Sequence, residues 1–99
     1  MKITQKVENG KKIIALEGRL DTMTAPQLET YLEKEAIEKE SFLVIDMEKL
    51  EYISSAGLRV LLALQKDMQQ HGTLELHNVN EVNMEVFEVT GFVDILTII

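Results

Sequence analysis

Two adjacent serines, Ser54 and Ser55, stand where one apolar run ends and a second apolar run with helical spacing begins. Serine favours a helix start because its hydroxyl can accept a hydrogen bond from a free backbone N–H of the first turn. Ala56 and Gly57 follow, so the junction is small, polar and flexible. These residues indicate either a simple helix cap or a place where another molecule contacts the protein.

A hydrolytic enzyme is the first function to test against this junction. Ser55 and Gly57 resemble part of a nucleophile elbow, but Ile53 stands where that turn requires its first glycine. A Ser-His-Asp set would need one of the two histidines. His71 lies at the far end of the helix that Ser55 begins, about 20 Å away at 1.5 Å per residue. His77 falls on an alternating strand, where a surface position is expected. We therefore predict that the protein is not an enzyme.

Metal and cofactor sites find no support in the sequence. The chain has two histidines and no cysteine, and its carboxylates are scattered over predicted helix surfaces. Neither a Walker-type phosphate loop nor a dinucleotide-binding glycine motif is present. We predict no metal ligands and no cofactor.

The formal net charge is −7, and its distribution bears on the partners. Lys66 is the last basic residue, and the acidic residues after it are Asp67, Glu75, Glu81, Glu85, Glu88 and Asp94. This segment repels phosphate backbones and anionic lipids, so we predict no nucleic-acid and no membrane partner. We expect a solvated acidic face; the alternative is a patch that steers a basic partner.

Length and hydropathy predict one soluble, cytoplasmic domain. The 99 residues, 45% of them hydrophobic, suffice for a single core. No apolar run approaches the ~18 residues that cross a bilayer. Residues 1–6 alternate instead of forming the apolar core of a signal peptide. The lack of cysteine permits a cytosolic location.

The first half of the chain predicts a hairpin, a helix and an interior strand. Asn9 and Gly10 separate two apolar segments, and both tolerate the positive φ of a type I′ turn. Thr24 is expected to begin a helix, with Gln27 completing a capping box. The continuous apolar run Phe42–Ile45 is typical of an interior strand.

The second half predicts alternating helices and strands. The helix that begins at the serine pair runs to about Gln70 and is apolar around much of its circumference. Short strands are predicted at residues 73–77 and 94–99. Asn80 can cap a third helix, and its predicted core face comprises Val82, Val86, Phe87 and Val89. The order β-β-α-β-α-β-α-β predicts an α/β fold. Its mixed sheet has an antiparallel N-terminal hairpin and then alternating α/β elements, with the helices packed on the sheet.

Four segments resemble a known family. Residues 50–62, which read LEYISSAGLRVLL, resemble the signature of STAS domains, and of bacterial anti-sigma factor antagonists in particular. Gly18–Asp21 resembles the Gly-x-Leu-Asp turn of that family, and Phe42–Asp46 resembles its central strand. Phe87–Phe92 resembles its Phe-x-x-(Ser/Thr)-Gly ending. The resemblance extends over nearly the whole chain and implies a single STAS domain over residues 1–99.

The resemblance also implies a phosphorylation site. In that family the serine two places before the glycine is phosphorylated by a partner that is both an anti-sigma factor and a kinase. Ser55 has that position here; Ser54, where the family often has Asp, is the alternative. The implied partner-binding residues are Asp21, Thr22, Ser54, Ser55, Ala56, Gly57 and Arg59.

The implied function is that of an anti-sigma factor antagonist. Its partners would be an anti-sigma factor serine kinase, which binds the ATP, and a serine phosphatase. The free protein would be a monomer, and phosphorylation would release it from the kinase. Two alternatives stay open: a partner-switching regulator with a non-sigma output, such as secretion or surface behaviour, and a small-ligand-binding STAS module.

Several residues admit two roles at this point. Arg59 lies one helical turn after Ser55, so it could screen a phosphate there, or lie in water or pair with Glu51. Asp21 could contact the partner or hold its own turn. Gly57 could allow close approach of backbone or partner. From physical arguments alone, Ser55 would be a plain helix cap.

Overall fold

One mixed sheet forms the framework of the structure, a computed structural model that describes residues 1–99. Its strands are β1 (Lys2–Glu8), β2 (Lys11–Leu20), β3 (Phe42–Ile53), β4 (Thr73–His77) and β5 (Thr97–Ile98). They lie in sequence order, with β1 antiparallel to β2 and every later pair parallel. The predicted α/β fold with an antiparallel start is confirmed.

Three α-helices connect the parallel strands. They are α1 (Ala25–Lys34), α2 (Ser55–Met68) and α3 (Glu81–Thr90), with short 3₁₀ turns at Ile37–Lys39 and Phe92–Asp94. None of these helices is both long and apolar enough to cross a membrane. Side chains from all three helices join those of the sheet in one cluster of 21 buried apolar residues. The helices therefore share a single core with the sheet, as expected for α/β packing.

The N-terminal hairpin has the predicted turn. Asn9 and Gly10 have φ values of 53° and 78°, the left-handed backbone that this two-residue turn requires. Ile3 on β1 lies opposite Leu16 on β2, which places both on the core side of the sheet.

The pairing of β2 with β3 shifts register twice. Lys12 lies opposite Leu43, but Glu17 lies opposite Lys49, and Leu20 lies opposite Ile53. At each shift β3 uses one more residue than β2, which is the geometry of a β-bulge. The strand consequently extends well beyond the predicted run Phe42–Ile45, because β2 supplies hydrogen-bonding partners as far as its last residue.

The start of α1 differs from the predicted capping box. Thr24 occupies the cap position, but its side chain caps no helical N–H. Its hydroxyl instead donates to the Arg19 carbonyl oxygen at 2.8 Å, and the Gln27 amide donates to the Met1 carbonyl oxygen at 2.9 Å. The prediction was wrong because both side chains bind backbone groups of β2 and the N-terminus instead.

The start of α3 has the predicted cap. The Asn80 side-chain oxygen accepts the Asn83 N–H at 2.8 Å. The side-chain amides of both asparagines donate to the Leu50 carbonyl oxygen, each at 3.1 Å. Asn83 is fully buried, so this pair of bonds attaches α3 to the sheet.

The predicted core face of α3 was wrong at two valines. Val82 and Val89 are 55% and 83% exposed, whereas Phe87 is completely buried and Val86 is half-buried. Asn83 and Phe87, four residues apart, share the buried side of the helix. The bond from Asn83 to the sheet turns the helix away from the orientation that hydrophobicity alone predicted.

The last strand is also shorter than residues 94–99, because Phe92–Asp94 forms a 3₁₀ turn.

Gly57 lies where α2 approaches the sheet most closely. A Cβ atom at this position would lie 2.6 Å from Leu20 Cγ and 2.9 Å from Ile53 Cγ1. Both neighbours are completely buried, so neither has free space to move into. The lack of a side chain therefore fixes how closely the first turn of α2 approaches the ends of β2 and β3.

Replacing Gly57 with alanine should lower the free energy of unfolding by about 1–3 kcal/mol, through overpacking. Helix propensity alone predicts the opposite sign, a gain of up to about 1 kcal/mol. Urea unfolding followed by circular dichroism measures the difference, and Ser55→Ala, at an exposed position two residues earlier, is the matched control. A Gly57→Ala protein as stable as the wild type would contradict the close contact.

Candidate partner-binding site

The carboxyl ends of β2 and β3 place two predicted site segments side by side. Leu20 lies opposite Ile53, and the Ser54 N–H donates to the Leu20 carbonyl oxygen at 2.9 Å. The turn that begins at Asp21 and the helix that begins at Ser55 therefore leave the sheet as neighbours. These are the segments that the family resemblance grouped, and the structure places them side by side because parallel neighbouring strands end at the same edge of a sheet.

Asp21 holds the turn between β2 and α1. Its Oδ1 accepts the N–H of Met23 at 3.0 Å and the N–H of Thr24 at 3.2 Å. In return, the Thr24 hydroxyl oxygen accepts the Asp21 N–H at 2.9 Å. Of the two roles proposed for Asp21, the structure therefore shows the turn-holding one, through the local hydrogen bonds typical of aspartate in turns.

These bonds lower the pKa of Asp21. Partial burial on its own raises this pKa, but the backbone N–H groups of Met23 and Thr24, the Thr24 hydroxyl and the Arg19 guanidinium together outweigh it. Arg19 Nε lies 3.7 Å from Asp21 Oδ2. The Asp21 carboxylate is consequently ionised in the folded protein at neutral pH.

The two serines have different surroundings. Ser54 occupies the helix cap position with extended backbone, φ −98° and ψ 177°, but its side chain makes no cap bond. Its hydroxyl oxygen is buried without a hydrogen-bond partner. Ser55 is the first residue of α2 and is exposed. The interpretation of Ser55 as a plain helix cap is therefore wrong, because Ser54 occupies the cap position and Ser55 is the first helical residue.

The first turn of α2 contains no acidic residue. Its first backbone hydrogen bond runs from the Leu58 N–H to the Ser54 carbonyl oxygen at 3.0 Å, so the N–H groups before it have no helical partner. The positive end of the helix dipole therefore lies beside Ser55 with no carboxylate in its own first turn.

The other predicted site residues divide by exposure. Thr22 is exposed next to Asp21, and Ala56 is half-buried against the core. Gly57 is buried beneath Leu20, so its observed role is to seat the helix. Arg59 is exposed and makes no ion pair, so the pairing with Glu51 is absent.

Two features beside the site were not predicted from the sequence: a contact between Arg19 and Tyr52, and the exposure of Met23. The Arg19 guanidinium lies 4.6 Å from the centre of the Tyr52 ring, because these residues face each other on β2 and β3. Met23 is 86% exposed at the tip of the Asp21 turn. Only the strand register, which the two bulges set, could have paired Arg19 with Tyr52.

The two histidines contact groups other than Ser55. The His71 ring contacts the Glu38 carbonyl oxygen, and His77 Nε2 lies 2.9 Å from Glu75 Oε1. Both histidines are therefore engaged with groups away from the Ser55 segment.

Comparison with known proteins identifies the fold family. The family model described as the STAS domain matches residues 2–99. The chain belongs to the STAS domain family. BtrV of Bordetella bronchiseptica, a candidate anti-sigma factor antagonist, is 38% identical over 99 residues, covering 99% of this chain and 85% of BtrV. The anti-sigma-B factor antagonist of Listeria monocytogenes is 31% identical over 86 residues, covering 86% of this chain and 75% of that protein.

A solved STAS structure supports the fold at lower identity. The anti-sigma factor antagonist SpoIIAA superimposes in its unphosphorylated form with a TM-score of 0.73 at 17% identity, covering 99% of this chain and 87% of that chain. Its phosphorylated form gives a TM-score of 0.72 at 18% identity, covering 99% and 91%. The STAS fold implied by the sequence is therefore confirmed.

Replacing Asp21 with asparagine should reduce stability at neutral pH more than at acid pH. The folded-state pKa lies below the unfolded value of about 3.9, so the stabilisation is complete above that value and is lost as pH falls through the folded pKa. Asparagine keeps one acceptor oxygen for the N–H groups of Met23 and Thr24 and replaces the charged Oδ2, which lies 3.7 Å from Arg19 Nε, with a neutral amide group. Urea midpoints at pH 7, 5 and 3 should converge for the two proteins, with Glu17→Gln as the exposed control. A constant difference across this range would contradict the assignment.

Proposed function

We propose that this STAS domain is an anti-sigma factor antagonist whose partner binding is switched off by phosphorylation of Ser55. The observation that carries the proposal is the exposed Ser55 hydroxyl at an acid-free helix N-terminus, beside the Asp21 turn. The names of the relatives at 38% and 31% identity support the antagonist role.

The proposed partner is an anti-sigma factor that is also a serine kinase and that binds the ATP. The STAS domain would supply only the acceptor hydroxyl, so it would not itself be an enzyme. Transfer of the γ-phosphoryl group forms the bond from Ser55 Oγ to phosphorus, releases ADP and removes the hydroxyl proton. A serine phosphatase would restore the hydroxyl by hydrolysis. Both partners are expected in the cytoplasm, where the free antagonist would be a monomer.

A phosphate at Ser55 should be tolerated by the fold but not by the interface. The free N–H groups and the dipole of α2 favour an anion at this end of the helix. A partner surface that fits a neutral hydroxyl would instead have to bury or repel roughly −1.5 to −2 charges. A loss of about 2.8 kcal/mol would weaken binding about 100-fold, enough for release.

The surroundings of the two serines favour Ser55 as the acceptor. The Ser54 hydroxyl is buried, and a kinase could reach it only after the helix start moves. Asp21, Thr22, Ala56 and Arg59 then complete the proposed contact surface, and Gly57 contributes by holding the helix in place. SpoIIAA keeps this fold in its phosphorylated form, so the fold of that protein tolerates a phosphate.

Incubation with ATP and histidine-kinase-like serine kinases of the source organism, followed by mass spectrometry, should place one phosphate on Ser55. Ser54→Ala should still be modified, and Ser55→Ala should not. In binding assays Ser55→Ala should retain the affinity of the wild type, and Ser55→Asp should weaken it at least 10-fold. Equal binding by the two Ser55 variants, or no transfer from any such kinase, would reject the switch.

Arg59 gives a further test in the phosphorylated protein. A guanidinium one turn after Ser55, without an ion-pair partner, should favour the dianion and lower the second pKa of the phosphoserine, ordinarily about 6. Arg59→Ala should raise that pKa, as followed by ³¹P NMR titration. Lys66→Ala, farther along the same helix, is the control. If Arg59→Ala leaves the pKa unchanged, Arg59 does not screen the phosphate.

A further inference from the structure

A groove of about 210 Å³ runs between α1 and α2, outside the proposed Ser55 contact residues except at Arg59. Its apolar lining consists of Leu32 from α1 and Val60, Ala63 and Leu64 from α2. Leu32, Val60 and Leu64 are almost fully buried, whereas Ala63 is exposed. The small side chain of Ala63 therefore leaves the groove open over an apolar floor.

The rim of the groove is strongly acidic. Glu29, Glu33, Glu38 and Asp67 line it, and Arg59 is its only basic residue. None of these five side chains takes part in an ion pair. The rim carboxylates are therefore not neutralised by ion pairs within the protein.

The groove is continuous with the proposed Ser55 surface. Arg59, at its end nearest Ser55 along α2, follows that serine by one helical turn, or about 6 Å. A protein that covers Ser55 would therefore reach the groove. Along α2, Arg59 lies between Ser55 and the rim residue Asp67, so a basic side chain separates these two positions on the helix.

We propose that this groove binds a basic amphipathic segment of the anti-sigma factor that docks at Ser55, an inference that rests on the proposed function. An apolar side chain of the segment would lie on the floor near Ala63, and its lysines or arginines would lie among the rim carboxylates. The volume is below the roughly 300 Å³ at which small-molecule pockets begin, so single side chains fit better than a whole ligand. Complementary charge would mainly accelerate association.

Affinity measurements without ATP, with the kinase that modifies Ser55, test the groove by shape and by charge. Ala63→Leu should fill the groove and weaken binding about 10-fold, while Thr30→Leu, at an exposed α1 position outside it, should not. Glu33→Gln with Asp67→Asn should also weaken binding about 10-fold, mostly in the association rate and more at low salt. Glu85→Gln with Glu88→Gln on α3 makes the same charge change elsewhere and should change binding less than twofold.

The outcomes separate this proposal from the function on which it rests. If Ser55→Asp abolishes binding but Ala63→Leu binds normally, or if both charge pairs act equally, the groove proposal is rejected alone. If no kinase of the source organism binds, the proposed function fails.

The groove is then tested by ¹⁵N NMR titration with a synthetic helical Leu/Arg peptide. Shifts at groove residues that Ala63→Leu removes would support it, and equal shifts with a Leu/Glu peptide would reject it.

Discussion

The hydrogen bond from the Ser54 N–H to the Leu20 carbonyl oxygen is the contact on which the geometry of the site depends. It joins the last residue of β2 to the residue that directly follows β3, so the Asp21 turn and helix α2 leave the sheet at the same level. Gly57 then allows the helix to approach the strand ends more closely than any side chain would permit. The position of the exposed Ser55 hydroxyl is thus determined by buried backbone and apolar contacts. A chemical change at that hydroxyl can alter the surface without disturbing what positions it.

Hydrophobic patterning and turn residues predicted the order of the elements well, because period and turn chemistry are local properties. The Asn9-Gly10 hairpin and the Asn80 cap are examples, and each depends on a few neighbouring residues. The wrong predictions involve partners distant in the chain. Thr24 and Gln27 bind backbone groups outside their helix, and Asn83 turns α3 by binding Leu50. Ser55 was located by family resemblance, whereas its exposure and the burial of the Ser54 hydroxyl came only from the folded chain.

Charge is distributed differently on two adjoining parts of the surface. The first turn of α2 lacks acidic residues, whereas the groove between α1 and α2 has four of them around an apolar floor. Arg59, in the second turn of α2, is the basic residue that lines the groove. With this arrangement, the proposed contact at Ser55, which a phosphate would disrupt, would lie next to the proposed groove contact, which depends on opposite charge. The overall charge of −7 says little about this division, which arises only when the two helices pack side by side.

The two bulges between β2 and β3 set how far the end of β3 extends relative to the end of β2. With the register of Lys12 and Leu43 continued unchanged, Leu20 would lie opposite Glu51 instead of Ile53. Ser54 would then stand two residues, or about 7 Å, farther along the sheet than the Asp21 turn. Insertions or deletions within β3 can therefore shift the Ser55 segment relative to the Asp21 turn without changing a residue of either. Changes in the length of a strand interior would therefore alter the relative position of two surface segments, and related domains could differ in partner recognition for this reason.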